Sequence, residues 1–153
     1  MTSISFAQEK RDELKVDIVY DLENNYSTTI PESPYFVKEK VLQIYPGEEI
    51  NVETEIKKDT IFSMKVVKVI EHPDRTINIR FFQDAKDRSK AQMMLVVKNP
   101  FKQKLLYDAF IFIPKHNDWS KTSIIPIQPN LVSYEMWPDV IATIALENWR
   151  FVN

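Results

Sequence analysis

Residues 93–114, MMLVVKNPFKQKLLYDAFIFIP, carry the densest apolar pattern in the chain. Two apolar runs flank Asn99-Pro100-Phe101-Lys102, and the pair reads as a β-hairpin. The second run is apolar on both strand faces, Leu105, Tyr107, Ala109 and Ile111 on one, Leu106, Phe110 and Phe112 on the other. That pattern predicts a central strand covered on both sides. Residues 48–57 alternate instead, with Ile50, Val52, Thr54 and Ile56 against Glu49, Asn51, Glu53, Glu55 and Lys57. This is the signature of an antiparallel strand with one wet face. Residues 76–82 do the same, with Ile77, Ile79 and Phe81 inward and Asn78 and Arg80 outward.

Residues 16–20, 36–45 and 61–70 supply further strands, separated by turn signals at Pro46-Gly47, Lys58-Asp59 and His72-Pro73-Asp74. Residues 22–35, rich in Asn, Ser, Thr and Pro, read as a long loop. Residues 117–121 read as a loop containing Trp119, and Pro126 reduces residues 123–127 to an edge strand. Residues 140–151 fit both periodicities, but the β-branched Val140, Ile141, Thr143 and Ile144 favour a strand. Alternation then puts Ile144 and Leu146 on one face and Trp149 and Phe151 on the other. The sum is an all-β, antiparallel β-sandwich of about eight strands with little helix. Residues 16–153 form a single domain, and residues 1–15 precede it as a flexible N-terminus.

Composition narrows the chemistry. Gly47 is the only glycine, so no phosphate-cradling loop or dinucleotide fingerprint can be built. The absence of cysteine removes disulfides, thiol catalysis and Cys-ligated zinc. A net charge of −2 gives no bulk attraction to nucleic acid. The first sixty residues carry a net −6 and the remainder +4, a bipolar distribution suited to orienting a partner. No apolar run is long enough for a transmembrane helix. At the start, Ser5-Phe6-Ala7 places small residues three and one positions before Gln8. This is the small-x-small pattern of signal-peptide cleavage, so residues 1–7 read as the tail of an export signal and the protein as periplasmic or secreted. The alternative is a cytoplasmic protein with an ordinary frayed terminus.

The stretch VVKNPFKQKLLYDAFIF, residues 96–112, resembles bacterial immunoglobulin-like β-sandwich modules, through the Asn99-Pro100 turn and the returning Leu105-x-Tyr107. The resemblance covers under a fifth of the chain. It implies an immunoglobulin-like sandwich and a bias toward adhesion, scaffolding or binding, and it carries over no catalytic residue.

The candidate contact residues are Trp119, in a polar loop, and Lys98, Lys102 and Lys104, which crowd the expected hairpin tip. Phe101 at that tip is the apolar anchor, and Trp137 joins the set before Pro138. The trios His72-Pro73-Asp74 and His116-Asn117-Asp118, and the pair Glu53 and Glu55, have no spacing diagnostic of a metal or a glycosidase. Ser120 and Ser123 lack a nucleophile elbow. These features predict a non-enzymatic protein-binding module, with a protein partner and no metal or cofactor. The first alternative is an envelope inhibitor or chaperone that presents an edge strand or loop. The second is a glycan-active or metal-dependent enzyme. An exposed edge strand also allows a homo-oligomer.

Overall fold

Segments rich in β-branched and aromatic residues form strands in a computed structural model that describes residues 9–153. The strands are β1 (Lys10–Arg11), β2 (Leu14–Val19), β3 (Asn25–Ile30), β4 (Ser33–Pro34), β5 (Phe36–Lys38), β6 (Val41–Ile44) and β7 (Glu48–Lys57). They continue with β8 (Thr60–Val67), β9 (Thr76–Asp84), β10 (Gln92–Lys98), β11 (Lys104–Ile113), β12 (Asp118–Thr122), β13 (Val132–Trp137) and β14 (Thr143–Val152). Two 3₁₀ turns, Pro73–Arg75 and Arg88–Lys90, are the only helical pieces among the described residues.

Ten strands make two five-stranded antiparallel sheets, ordered β13-β10-β9-β7-β8 and β12-β11-β14-β6-β5. Their buried faces share one core, an arrangement consistent with a β-sandwich. Ile77, Ile79, Phe81, Leu95 and Val97 of the first sheet and Leu42, Ile44, Leu105, Ala109 and Leu146 of the second are fully buried. The β2–β3 hairpin adds Val16 and Ile18 to this core. It is docked by Gln83, whose side-chain amide donates to Val19 O at 2.9 Å and accepts from Val19 N at 2.8 Å.

Several expectations need correction. The described residues hold fourteen strands, ten of them in the two sheets, rather than eight. Residues 22–35 contain β3 and β4. The Asp21 carboxylate accepts the amides of Glu23 and Asn24 and makes a tight turn, and pairing with β2 overrides the polar composition. Residues 36–45 are two strands, β5 and β6, split at Lys40, which has φ 58° and no glycine to announce it. The expected flexible stretch 1–15 contains β1 and the start of β2. The expected cut before Gln8 lies outside the described residues.

The main correction concerns the expected hairpin. β10 pairs with β9 and β13, and β11 with β12 and β14, so the two apolar runs lie in different sheets. Asn99 is the reason. Its side chain is fully buried, and its Nδ2 donates to Gln103 O, Ile127 O and Gln128 O at 2.8, 3.0 and 3.2 Å. Its Oδ1 accepts Phe101 N at 2.8 Å, and its own N–H donates to Leu131 O. The turn therefore binds the returning segment between β12 and β13, and becomes a crossing from one sheet to the other.

β14 is a strand, as its β-branched residues predict, but its alternation is reset. Between Leu106 and Asp108 the ladder shifts, because β14 holds one extra residue there. Asn148 sits at φ 54° in the left-handed region, the backbone of a β-bulge. The bulge returns Trp149 to the inner face, where it stacks on Tyr107 at 4.6 Å between ring centroids.

Asn99→Asp replaces a donor to three carbonyls with a carboxylate beside them. The expected cost is about 2–4 kcal/mol, read as a lower urea midpoint. An unchanged midpoint would contradict the role of Asn99.

Candidate functional site

The sequence-predicted contact residues do not converge. Lys98 closes β10, Lys102 lies in the crossing and Lys104 opens β11. Lys104 pairs with Val152, whereas Trp119 pairs with Phe112, eight residues further along β11. That spacing is roughly 26 Å along the strand. Phe101 is buried and packs edge-on against Phe151 at 4.9 Å, so it anchors the core rather than a partner. Trp137 is also buried, its indole N–H donating to Thr122 Oγ1 at 3.1 Å across the flank between β13 and β12. Trp119 stands on β12 rather than in a loop, 42% exposed, with its ring edge-on to Phe112 at 5.4 Å.

The strand β11 is covered on one side only. Leu106, Phe110 and Phe112 lie on the outer face of the second sheet, partly buried and outside the shared core. Lys121 and Trp119 flank them on β12. Asp108 on the same face accepts from Asn148 Nδ2 at 3.1 Å and from Arg150 at 3.2 Å. The Asn148 hydrogen bond, aided by Arg150, holds its carboxyl below the usual carboxylate range.

The remaining candidates are structural or solvated. His72 and His116 lie in exposed loops, and no three His, Cys, Asp or Glu among the described residues are grouped to hold a metal ion. Glu53, expected on a wet face, is buried and paired with Lys65 at 3.3 Å. Glu55 accepts only a 3.4 Å contact from Ser63.

The feature that sequence reasoning missed is β13. Its apolar and polar residues alternate, Val132, Tyr134 and Met136 against Ser133 and Glu135. The ordinary expectation puts the apolar set inward. Here it faces out, with Val132, Tyr134 and Met136 exposed by 39%, 63% and 57%, while Ser133 and Glu135 are half-buried. Two contacts set this parity. Trp137, of the same parity as Ser133 and Glu135, is buried and bonded to Thr122, and Leu131 O accepts from Asn99 N. Glu135 turns inward to accept the amide of Ile125 at 3.3 Å.

Register extends the apolar face across the sheet. Met136 lies beside Met94, which lies beside Phe82, and Tyr134 lies beside Val96, which lies beside Arg80. Arg80 covers the Phe82 ring at 5.0 Å and reaches Glu49 at 3.9 Å. The patch thus has an apolar centre and a charged border, and its outermost strand, β13, pairs on one side only.

No protein-family model, curated protein or solved structure matches the chain. No helix among the described residues is long and apolar enough to cross a membrane.

Behind β13 the buried Trp149 Nε1 makes no hydrogen bond, and the Tyr107 and Ser133 hydroxyls have no partner of good geometry, only a weak interaction with each other. Burial, and then the charge of Glu135, raise the Tyr107 phenol well above its ordinary value, against a smaller opposing effect of Ser133. A folded state that holds this proton more tightly is fully stable below the unfolded tyrosine value, near pH ~10, and loses stability as pH rises past it. Tyr107→Phe removes a poorly satisfied hydroxyl and keeps the stacked ring. Its unfolding free energy is expected to equal that of the parent or exceed it by up to about 1 kcal/mol, with a shallower loss above pH ~10. A loss of more than about 2 kcal/mol at pH 7 would show instead that the hydroxyl is satisfied.

Proposed function

We propose that this protein is a non-enzymatic binding module whose contact surface is the outer face of β13, β10 and β9. The observation that carries the reading is the inverted strand β13, which exposes Val132, Tyr134 and Met136 and turns Ser133 and Glu135 inward. An edge strand that faces water with its apolar side is a liability unless another surface covers it. Tyrosine and methionine suit the centre of such a contact, because they bring large area at low polarity. Arg80, Lys98 and Glu49 border the patch and supply the charged rim. The partner is another protein that presents an apolar surface. The immunoglobulin-like form of the sandwich belongs to the same proposal, supported by two antiparallel sheets joined through crossings.

The test is cross-linked capture from extracts of the source cells with the parent chain, with Tyr134→Ser/Met136→Ser, and with Trp119→Ala. The parent and Trp119→Ala are expected to capture one protein in near-equal amount, and the double variant to lose about tenfold or more in affinity for it. Loss in Trp119→Ala with retention in the double variant would move the surface to β12. Capture of nothing by the parent, or self-association abolished by the double variant, would replace the heterologous partner with none or with a second copy.

A further inference from the structure

Lysine gathers at one end of the sandwich. The β7–β8 turn holds Lys57, Lys58 and Asp59, with Lys57 paired to Thr60. It touches two other loops. Gln103, in the crossing between β10 and β11, donates from Nε2 to Asp59 Oδ1 at 3.3 Å, which brings its neighbours Lys102 and Lys104 to the same end. Lys40 of the β5–β6 turn reaches Ile61 O with its Nζ at 3.4 Å, and Lys38 opens that turn by pairing with Val41. The three loops thus present six lysines against two carboxylates, Glu39 and Asp59. None of the six forms an ion pair among the described residues.

The opposite end is balanced. Its connections, residues 20–24, 45–47, 85–91, 114–117 and 138–142, carry four Asp or Glu and four Lys or Arg side chains. The lysines also occupy positions that suit another residue. Seven described residues have φ in the left-handed region, which favours glycine and asparagine. Four of them are Gly47, Asn117, Asn130 and Asn148. The other three, Lys40, Lys58 and Asp59, lie in these turns, at φ 58°, 51° and 58°. Two tight turns therefore hold lysine where the backbone alone would select asparagine or glycine, which points to a use for the charge.

The chemistry of the cluster fits a broad anionic surface. None of the chain's five arginines lies in these loops. Arginine's planar fork reads phosphates and base edges in fixed geometry, whereas lysine is a point charge on a flexible stem. Such stems can follow mobile lipid headgroups, where each lysine strengthens binding about fivefold. Phe62, 50% exposed, lies under Lys57 Nζ at 3.9 Å, an apolar ring placed to enter the headgroup layer beside its lysine. The net charge of −2 does not oppose this, because charges more than about 8–10 Å away are largely screened at physiological salt.

We propose that this end of the sandwich docks on an anionic lipid surface through Lys38, Lys40, Lys57, Lys58, Lys102 and Lys104, with Phe62 at the headgroup layer. The proposal stands apart from the β13 contact, which uses an outer sheet face, and each can fail alone.

The test is flotation of the full chain with vesicles of equimolar phosphatidylglycerol and phosphatidylcholine, and with phosphatidylcholine alone, at about 0.1 M salt. Two charge-matched variants accompany it. Lys58→Asn/Lys102→Gln/Lys104→Gln removes half of the cluster, and Lys86→Gln/Lys90→Gln/Lys115→Gln makes the same change in net charge at the opposite end. The parent and the second variant are expected to float with the anionic vesicles only, and the first variant to bind about a hundredfold more weakly. Lys58→Asn alone, which suits the left-handed position, is expected to bind about fivefold more weakly with no loss of stability, so a fold defect in the triple variant does not decide the result. Equal binding by the two triple variants, or no binding by the parent, would overturn the proposal. So would binding to a short DNA duplex as tight as to the vesicles at the same salt, which would assign the lysines to nucleic acid.

Discussion

A single buried amide ties together two of the four passages that the chain makes between its sheets. The chain crosses from the first sheet to the second at residues 99–103 and returns at residues 123–131. The Asn99 side chain bonds to both segments, and the paired bonds between Leu105 and Ile127 lie beside it. An apolar residue there would leave carbonyls buried without donors, and a charged one would add an unpaired charge to the core. This local constraint has distant consequences. It sends Phe101 inward against Phe151, and through Leu131 it fixes the parity with which β13 joins β10.

Buried polar groups perform similar work at the other flank. Desolvating the Arg11–Glu48 pair is costly, and the pair contributes geometry more than net stability. Its fork geometry and five placed donors pin β1 against β4 and the Tyr45 corner in one arrangement. The apolar core sets that two sheets stack. Asn99 and Arg11 set how their edges are arranged, and an edge strand, β13, carries the proposed protein contact.

The strand content was legible wherever alternation was clean. Ile77, Ile79 and Phe81 face inward as their spacing predicts, as do Ile50, Val52 and Thr54. The illegible parts share a physical cause: a non-glycine residue or side-chain amide does what turn composition ordinarily announces. Lys40 and Asn148 adopt positive φ, which splits one predicted strand and resets another. Asn99-Pro100 looks like a hairpin turn because nothing local shows that its amide bonds lie near residue 127, far along the chain. The candidate site was legible in part. Trp119 is exposed as expected, but the lysines stand at the far end of β11 from it, and Phe101 and Trp137 are buried. The alternation of Val132, Tyr134 and Met136 was visible, but its direction was not, because periodicity gives two faces without saying which one meets water.

The exposed face of β13 depends on the same lock. A slip of one residue against β10 would bury Tyr134 and Met136 and expose Ser133, Glu135 and Trp137. The most direct measurement of this lock is native-state hydrogen exchange at the amides of Phe101, Leu105, Ile127 and Leu131 across a range of denaturant. If Asn99 ties the crossings into the cooperative core, these amides open only with global unfolding and share its denaturant dependence. If they exchange through a local opening at a small fraction of that free energy, the crossings are loose, and the orientation of β13 must have another cause.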